Sequence, residues 1–174
     1  MTRHTTGFGL EPAHHLTHVW EADPMVTPTV ARSGLVGVGY EGRDIGEFVA
    51  ELSANGVSRL VDVRLTPISR KRGFSKTALA SALGAAGIAY EHRRELGNPK
   101  TNRSGFAGPA EELAQARAVY AEILDRPEGR AALDAVAAAG QRELVALLCF
   151  EADQQHCHRD VVLRAVRDRV AATA

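Results

Sequence analysis

The sequence is poor in most of the features that would assign it quickly. Two cysteines in 174 residues are too few for a disulfide framework, and they give no sign of an oxidising compartment. Aromatic residues make up only 5% of the chain, with a single tryptophan, which leaves little to stack on nucleic-acid bases. No sign of charge prevails: 21 Lys and Arg balance 21 Asp and Glu. That balance excludes a surface built throughout for coating nucleic acid and leaves room for a local basic patch only. No window approaches ~18 consecutive apolar residues, so no membrane-spanning helix and no membrane partner are expected. The first 30 residues also lack the basic-then-apolar order of a secretory signal, and the expected location is the cytoplasm.

What is present is ordinary globular material, with 45% of residues in the hydrophobic class and 24% charged. A chain of this length can bury roughly 70% of the surface it exposes when unfolded, enough for one core without staples. The first 33 residues stand apart. They hold four of the seven histidines (His4, His14, His15, His18), three of the seven prolines and the tryptophan. They show no sustained period of 2 or 3.6, and the expectation is a loose N-terminal extension over 1–33. A histidine-rich stretch can hold a metal, but nothing further is built on it.

From residue 34 to 171 strand and helix patterns alternate. Leu35–Gly39 is a short apolar run suited to a strand buried on both faces. Asp44 with Glu47 reads as a capping-box start, followed by the stripe Ile45, Phe48, Val49, Leu52 and the left-handed stop Asn55-Gly56. Leu60–Val63 is a second strand. Ser75 starts a second helix that Gly87 stops, and Ile88–Tyr90 is a third strand. After a long polar loop come a helix through Leu113–Leu124 and another opened by Pro127. Leu144–Phe150, the longest apolar run, is the candidate central strand, and Val161–Val170 forms a terminal helix. The pattern predicts a single α/β domain over 34–171, doubly wound, with a mainly parallel sheet of about four core strands and helices on both faces.

In open parallel sheets ligands bind outside the carboxyl ends of the strands, so what each strand delivers there decides the candidate site. The first delivers Tyr40 and Glu41. The second delivers Asp62 and then Arg64, Ser69, Arg70, Lys71 and Arg72, four cations within nine residues just before a helix start. Guanidinium forks and a helix N-terminus both suit phosphate or carboxylate oxygens, while a solvated basic loop is the plainer alternative. Asp62 lies inside an apolar strand and needs a partner. It is either half of a buried ion pair with Arg64, which shares its strand face, or a functional group, a general base or a ribose-hydroxyl acceptor. Glu41 and Glu151 can reach the same crevice for acid–base work.

The last strand delivers Glu151, then Cys157, His158 and Arg159. Cys157 falls at the start of the final helix beside two cation-forming groups, a setting that favours thiolate, though it can equally be an inert capping thiol. Cys149, inside the strand, reads as a small apolar filler. A zinc site would draw on Cys149, His156, Cys157 and His158. The seven-residue gap between the cysteines is not a knuckle and there is no second pair, so zinc and other cofactors are not expected. Gly37, Gly39 and Gly42 carry the letters of a dinucleotide fingerprint, but the first lies within the strand. No Walker loop and no His-Glu-x-x-His exists.

Five segments occur in one order: Val38–Gly42, Val61–Arg70, Gly73–Ser75, Glu95–Pro99, and Cys149–Glu151 with Cys157–Arg159. Together they resemble the bacterial and archaeal family catalogued as domain of unknown function 488, over about residues 35–170. That resemblance implies which residues form a site and brings no activity, substrate or cofactor. A weaker likeness is to rhodanese-type sulfurtransferases, through Leu60–Arg64 and a cysteine-bearing loop before a helix. Cys149 to Arg159 is longer than the usual persulfide loop of those enzymes, and Glu151 would repel an anionic donor. Two functions are carried forward. One is an enzyme whose crevice takes a nucleotide or other phosphate-bearing substrate, with Tyr40, Glu41, Arg64, Ser69, Arg70, Arg72 and Arg159 binding and Asp62, Glu151, Cys157 and His158 catalytic. The other is a nucleic-acid module stacking bases on Tyr40, Phe74 and His92. Thiol-dependent sulfur transfer is a lesser alternative.

Overall fold

A computed structural model describes residues 33–173. All but the last residue of the expected 1–33 extension therefore lies outside the described residues. The elements run β1 (Gly34–Gly39), α1 (Ile45–Ala54), β2 (Arg59–Asp62), α2 (Lys76–Ala85), β3 (Ala89–His92), a 3-10 turn (Arg94–Leu96), α3 (Lys100–Phe106), α4 (Ala110–Leu124), α5 (Pro127–Gly140), β4 (Leu144–Cys149) and α6 (His158–Ala172). The four strands form one parallel sheet in the order β1-β4-β2-β3, as expected for an α/β domain.

Side-chain alternation along β4 divides the core in two. Leu144, Ala146 and Leu148 pack with Phe48 and Leu52 of α1 and Leu79 and Leu83 of α2. Val145, Leu147 and Cys149 face the other way, onto Tyr120 of α4, Leu133 and Val136 of α5 and Val162, Leu163 and Val166 of α6. Each such fully buried Leu or Phe contributes roughly 1.5–3 kcal/mol, so both faces of the sheet are held by burial. All six residues of β4 are buried, which fits its place between β1 and β2.

Local signals end the elements where they should. The Asp44 side chain accepts from the Glu47 N–H at 2.9 Å to start α1, and Gly56 and Gly87 take positive φ (76° and 74°) just beyond α1 and α2. The polar segment after β3 departs from the expected long loop, because it contains α3. That helix has few apolar residues to announce it and is held by tertiary contacts. Phe106 is buried, Gly105 lies close against Ala116, and the Asn102 amide donates to the Ala116 carbonyl at 3.0 Å.

The chain moves from β1 to β2 to β3 in one direction and then returns to β4. With right-handed crossovers the return must run on the opposite face, which is where α3 to α6 lie. The loop leaving β2 therefore turns to one face while the loop leaving β4 turns to the other. A crevice opens between them at the carboxyl edge. No helix among the described residues is long and apolar enough to cross a membrane.

Candidate functional site

A cavity of about 340 Å³ occupies that crevice, and all four carboxyl-edge segments line it. Tyr40 comes from the end of β1, and Arg64, Thr66, Ile68, Ser69 and Arg70 from the loop after β2. Asn98, Arg103 and Phe106 come from the segment after β3. Cys149, Phe150, Glu151, His156 and His158 come from the passage between β4 and α6. The volume is at the lower end of the range for small-molecule sites.

One wall is a saturated ion pair. Asp62 is fully buried, and its two oxygens take Arg64 Nε (2.8 Å) and a terminal guanidinium nitrogen (2.6 Å) in a bidentate fork, with the Tyr90 hydroxyl adding a third bond at 2.7 Å. The other terminal nitrogen of Arg64 donates to the Tyr40 hydroxyl (3.0 Å) and the Phe74 carbonyl (2.9 Å). Burial opposes the charge on Arg64, but Asp62 more than offsets it and raises the guanidinium pKa. Tyr90 is raised by burial first and by the Asp62 carboxylate second. Of the two readings of Asp62, the geometry matches the ion pair: every lone pair facing the protein is occupied, and Asp62 does not line the cavity.

The floor is different in kind. Cys149 at the end of β4, Glu151 in the loop beyond it, Cys157 at the N-cap of α6 and His158 at its first position turn inward together. One donor atom from each lies within 4.8 Å of all the others. Both thiols donate to the same Glu151 oxygen, each at 3.0 Å, and His158 Nδ1 sits 3.7 Å from the Cys149 sulfur and 3.9 Å from that of Cys157. His158 Nε2 meets the Val63 carbonyl at 3.1 Å, so Nε2 carries a proton and Nδ1 is the ring nitrogen that faces the sulfurs. The hydrogen bond from Cys157, then that from His158, brings the Cys149 thiol down to about 6 against its burial. Burial pushes Cys157 up, and the Cys149 sulfur beside it pushes the same way. For Glu151, burial acts upward, but the bonds from Cys149 and Cys157 outweigh it and hold the carboxyl below its usual range. Burial acts to lower His158; its contact with Cys149 prevails and raises it.

The sequence-predicted residues thus divide. Tyr40, Arg64, Ser69, Arg70, Glu151 and His158 line the cavity. Cys157 is an N-cap as expected, accepting from the Arg159 N–H at 3.4 Å, but it is buried behind Cys149 and does not reach the cavity. Of the two thiols it is Cys149, the residue read as a filler, whose pKa is lowered and which borders the cavity. Three of the predicted binding residues lie elsewhere. Arg159 is buried, donating to the Val38 and Glu151 carbonyls at 3.0 Å each, and so ties β1 to the loop after β4. Glu41 accepts from the Ala152 N–H at 3.0 Å, and Arg72 is exposed outside the cavity. Arg103 and Phe106 were missed because they belong to α3, which the sequence pattern does not announce. The proposed stacking residues are also committed: Tyr40 and Phe74 are buried and stack on each other at 4.4 Å, and His92 Nε2 meets the Arg64 carbonyl at 2.9 Å.

Fold and site together define the class: a parallel α/β domain with a polar cavity at the carboxyl edge of its sheet, floored by two thiols, a carboxylate and an imidazole. The family follows from a model match over residues 44–166, described as "Domain of unknown function DUF488". The chain belongs to that family. Comparison with curated proteins and with solved structures returned no match.

Proposed function

We propose that the chain is an enzyme that binds a small phosphate-bearing substrate in the carboxyl-edge cavity and acts on it at the Cys149–Glu151–His158 floor. The observation that carries this reading is the pair Arg70 and Arg103. Both guanidinium side chains line the cavity from opposite segments, and among the described residues neither pairs with a carboxylate. Both residues are exposed, so water screens them, and their support for an anion rests on their converging from two segments on one concave cleft. Ser69 adds a hydroxyl on the same wall, and the Arg64–Asp62 pair supplies a rigid, neutral back.

The nucleic-acid reading is weaker, since Tyr40 and Phe74 spend their faces on each other. Sulfur transfer through Cys157 lacks a path, as that sulfur does not border the cavity. The test is isothermal titration with inorganic phosphate, a ribonucleoside 5′-monophosphate and the unphosphorylated nucleoside. The phosphorylated compounds should bind and the nucleoside should not. Arg70→Ala or Arg103→Ala should each cost about 1.5–3 kcal/mol, the worth of a hydrogen bond to a charged group. Failure of every phosphate-bearing compound, or binding indifferent to both substitutions, would reject the reading.

A further inference from the structure

We infer that Cys149, Glu151, Cys157 and His158 form a binding site for one zinc-class divalent cation at the floor of the cavity. The inference stands on the four donors and does not depend on the phosphate reading.

Geometry is the first support. Metal–sulfur bonds of about 2.3 Å and metal–nitrogen or metal–oxygen bonds of about 2.0–2.2 Å space the corners of a tetrahedron by about 3.3–3.8 Å. Four of the six donor–donor separations here are 3.0, 3.0, 3.7 and 3.9 Å, and none of the six exceeds 4.8 Å. An ion can enter that space if the shorter separations open by a few tenths of an ångström and the longest close by up to about 1 Å.

The surroundings are the second support. A ligating histidine usually gives its other N–H to a backbone carbonyl or carboxylate, which fixes the ring. His158 does this through Nε2 and the Val63 carbonyl. The Arg159 N–H points at the Cys157 sulfur, and the N-terminus of α6 lends positive potential to a thiolate there. Donor type is the third support. Thiolate with imidazole selects zinc and its neighbours over magnesium or calcium. Glu151 lines the same cavity as Arg64, Arg70 and Arg103 and pairs with none of them; its oxygen accepts from the two sulfurs. Reading the chain as a string pointed to His156 as the fourth donor, but His156 bonds Asp153 at 2.7 Å, and Glu151 completes the set.

Cys149, Glu151 and His158 border the cavity, so the ion would face it, with Glu151 the ligand that can yield to an incoming oxygen. The use of the ion as a Lewis acid on a phosphate-bearing substrate rests on the reading of the preceding section.

The experiment takes the full chain, reduced, stripped with a chelator and reloaded with zinc or cobalt(II). Elemental analysis should give one metal per chain. The cobalt form should show sulfur-to-cobalt charge transfer with the intense visible bands of a tetrahedral shell. X-ray absorption on the zinc-loaded wild type should find two sulfurs at about 2.3 Å and two lighter atoms, with no variant needed. Cys149→Ser and Cys157→Ser, checked for native circular dichroism, should each weaken zinc by more than about a hundredfold, beyond the 10–100-fold typical of outer-shell changes. His156→Ala and Arg70→Ala should keep the metal. If Arg70→Ala loses phosphate and retains zinc, the two readings are separated. A reduced wild-type chain that takes up no metal, or takes it up with no sulfur in its shell, overturns the inference.

Discussion

Two buried polar clusters sit at the carboxyl ends of adjacent strands and differ in what they leave open. At the end of β2, Asp62 meets a guanidinium and a hydroxyl, and each charge is matched within the protein. At the end of β4, two sulfurs, a carboxylate oxygen and an imidazole nitrogen converge, and no arginine or lysine of the described residues pairs with them. The first cluster is saturated and closes the fold. The second gathers four metal-class donor atoms beside a cavity. Burial alone does not mark a site; what decides is whether the protein itself supplies the complementary charge.

The largest effect is expected at Asp62. Asp62→Ala leaves Arg64 buried without its partner and should cost about 3–5 kcal/mol in urea denaturation. If that variant keeps its stability and loses only ligand turnover, Asp62 belongs to the chemistry and the contrast fails. Gly39→Ala comes next. A Cβ there runs into the Glu151 carbonyl, so the loop carrying Glu151 must move, at about 1–3 kcal/mol by analogy with overpacking. Thermal unfolding and metal uptake should both respond. The glycine that resembled part of a dinucleotide fingerprint thus serves the close approach of two backbones.

Glu151→Gln should cost the metal-free protein about 1 kcal/mol or less, since thiols are weak donors and the amide oxygen still accepts from them. A cost as large as that of Asp62→Ala would mean that both clusters are structural. The smallest effect gives the baseline, at the amino edge of the same two strands. There Glu143 accepts from Arg59 (2.7 Å) and Ser58 (2.8 Å), and those bonds hold its carboxyl below the usual range. A depressed carboxyl adds stability above the unfolded-state pKa, and that stability is lost as pH falls through the folded value. Glu143→Gln should therefore cost under about 1 kcal/mol at neutral pH, and the difference from wild type should vanish in acid and shrink with salt.

Much of the fold was legible because it rests on local rules. The four strands, the caps Asp44 and Cys157, the helix start at Ser75 (which makes no side-chain cap bond), the stops at Gly56 and Gly87 and the helix opened by Pro127 all occur within a residue or three of where pattern puts them. Helix α3 was not legible. Its seven residues carry a glycine and three amide or hydroxyl residues (Thr101, Asn102 and Ser104), and packing on α4 holds it as a helix. The site was half legible. Tyr40, Arg64, Ser69, Arg70, Glu151 and His158 could be assigned to the cavity edge from strand ends alone. Which arginine faces inward, Arg103 rather than Arg72, depends on how a loop and a distant helix meet.

The sequence by itself determined that this is one α/β domain with ionisable residues gathered at one sheet edge, because hydrophobic period, capping and turn chemistry act over a few residues and survive in any context. Only the tertiary structure decided that Asp62 is spent on Arg64, that Cys149 rather than Cys157 borders the cavity and that Glu151 joins both sulfurs. Those outcomes turn on distances of 3–4 Å between residues on separate elements. Hydrogen bonding, pKa shifts and ligand geometry all change within an ångström at that range, and no spacing along the chain encodes it.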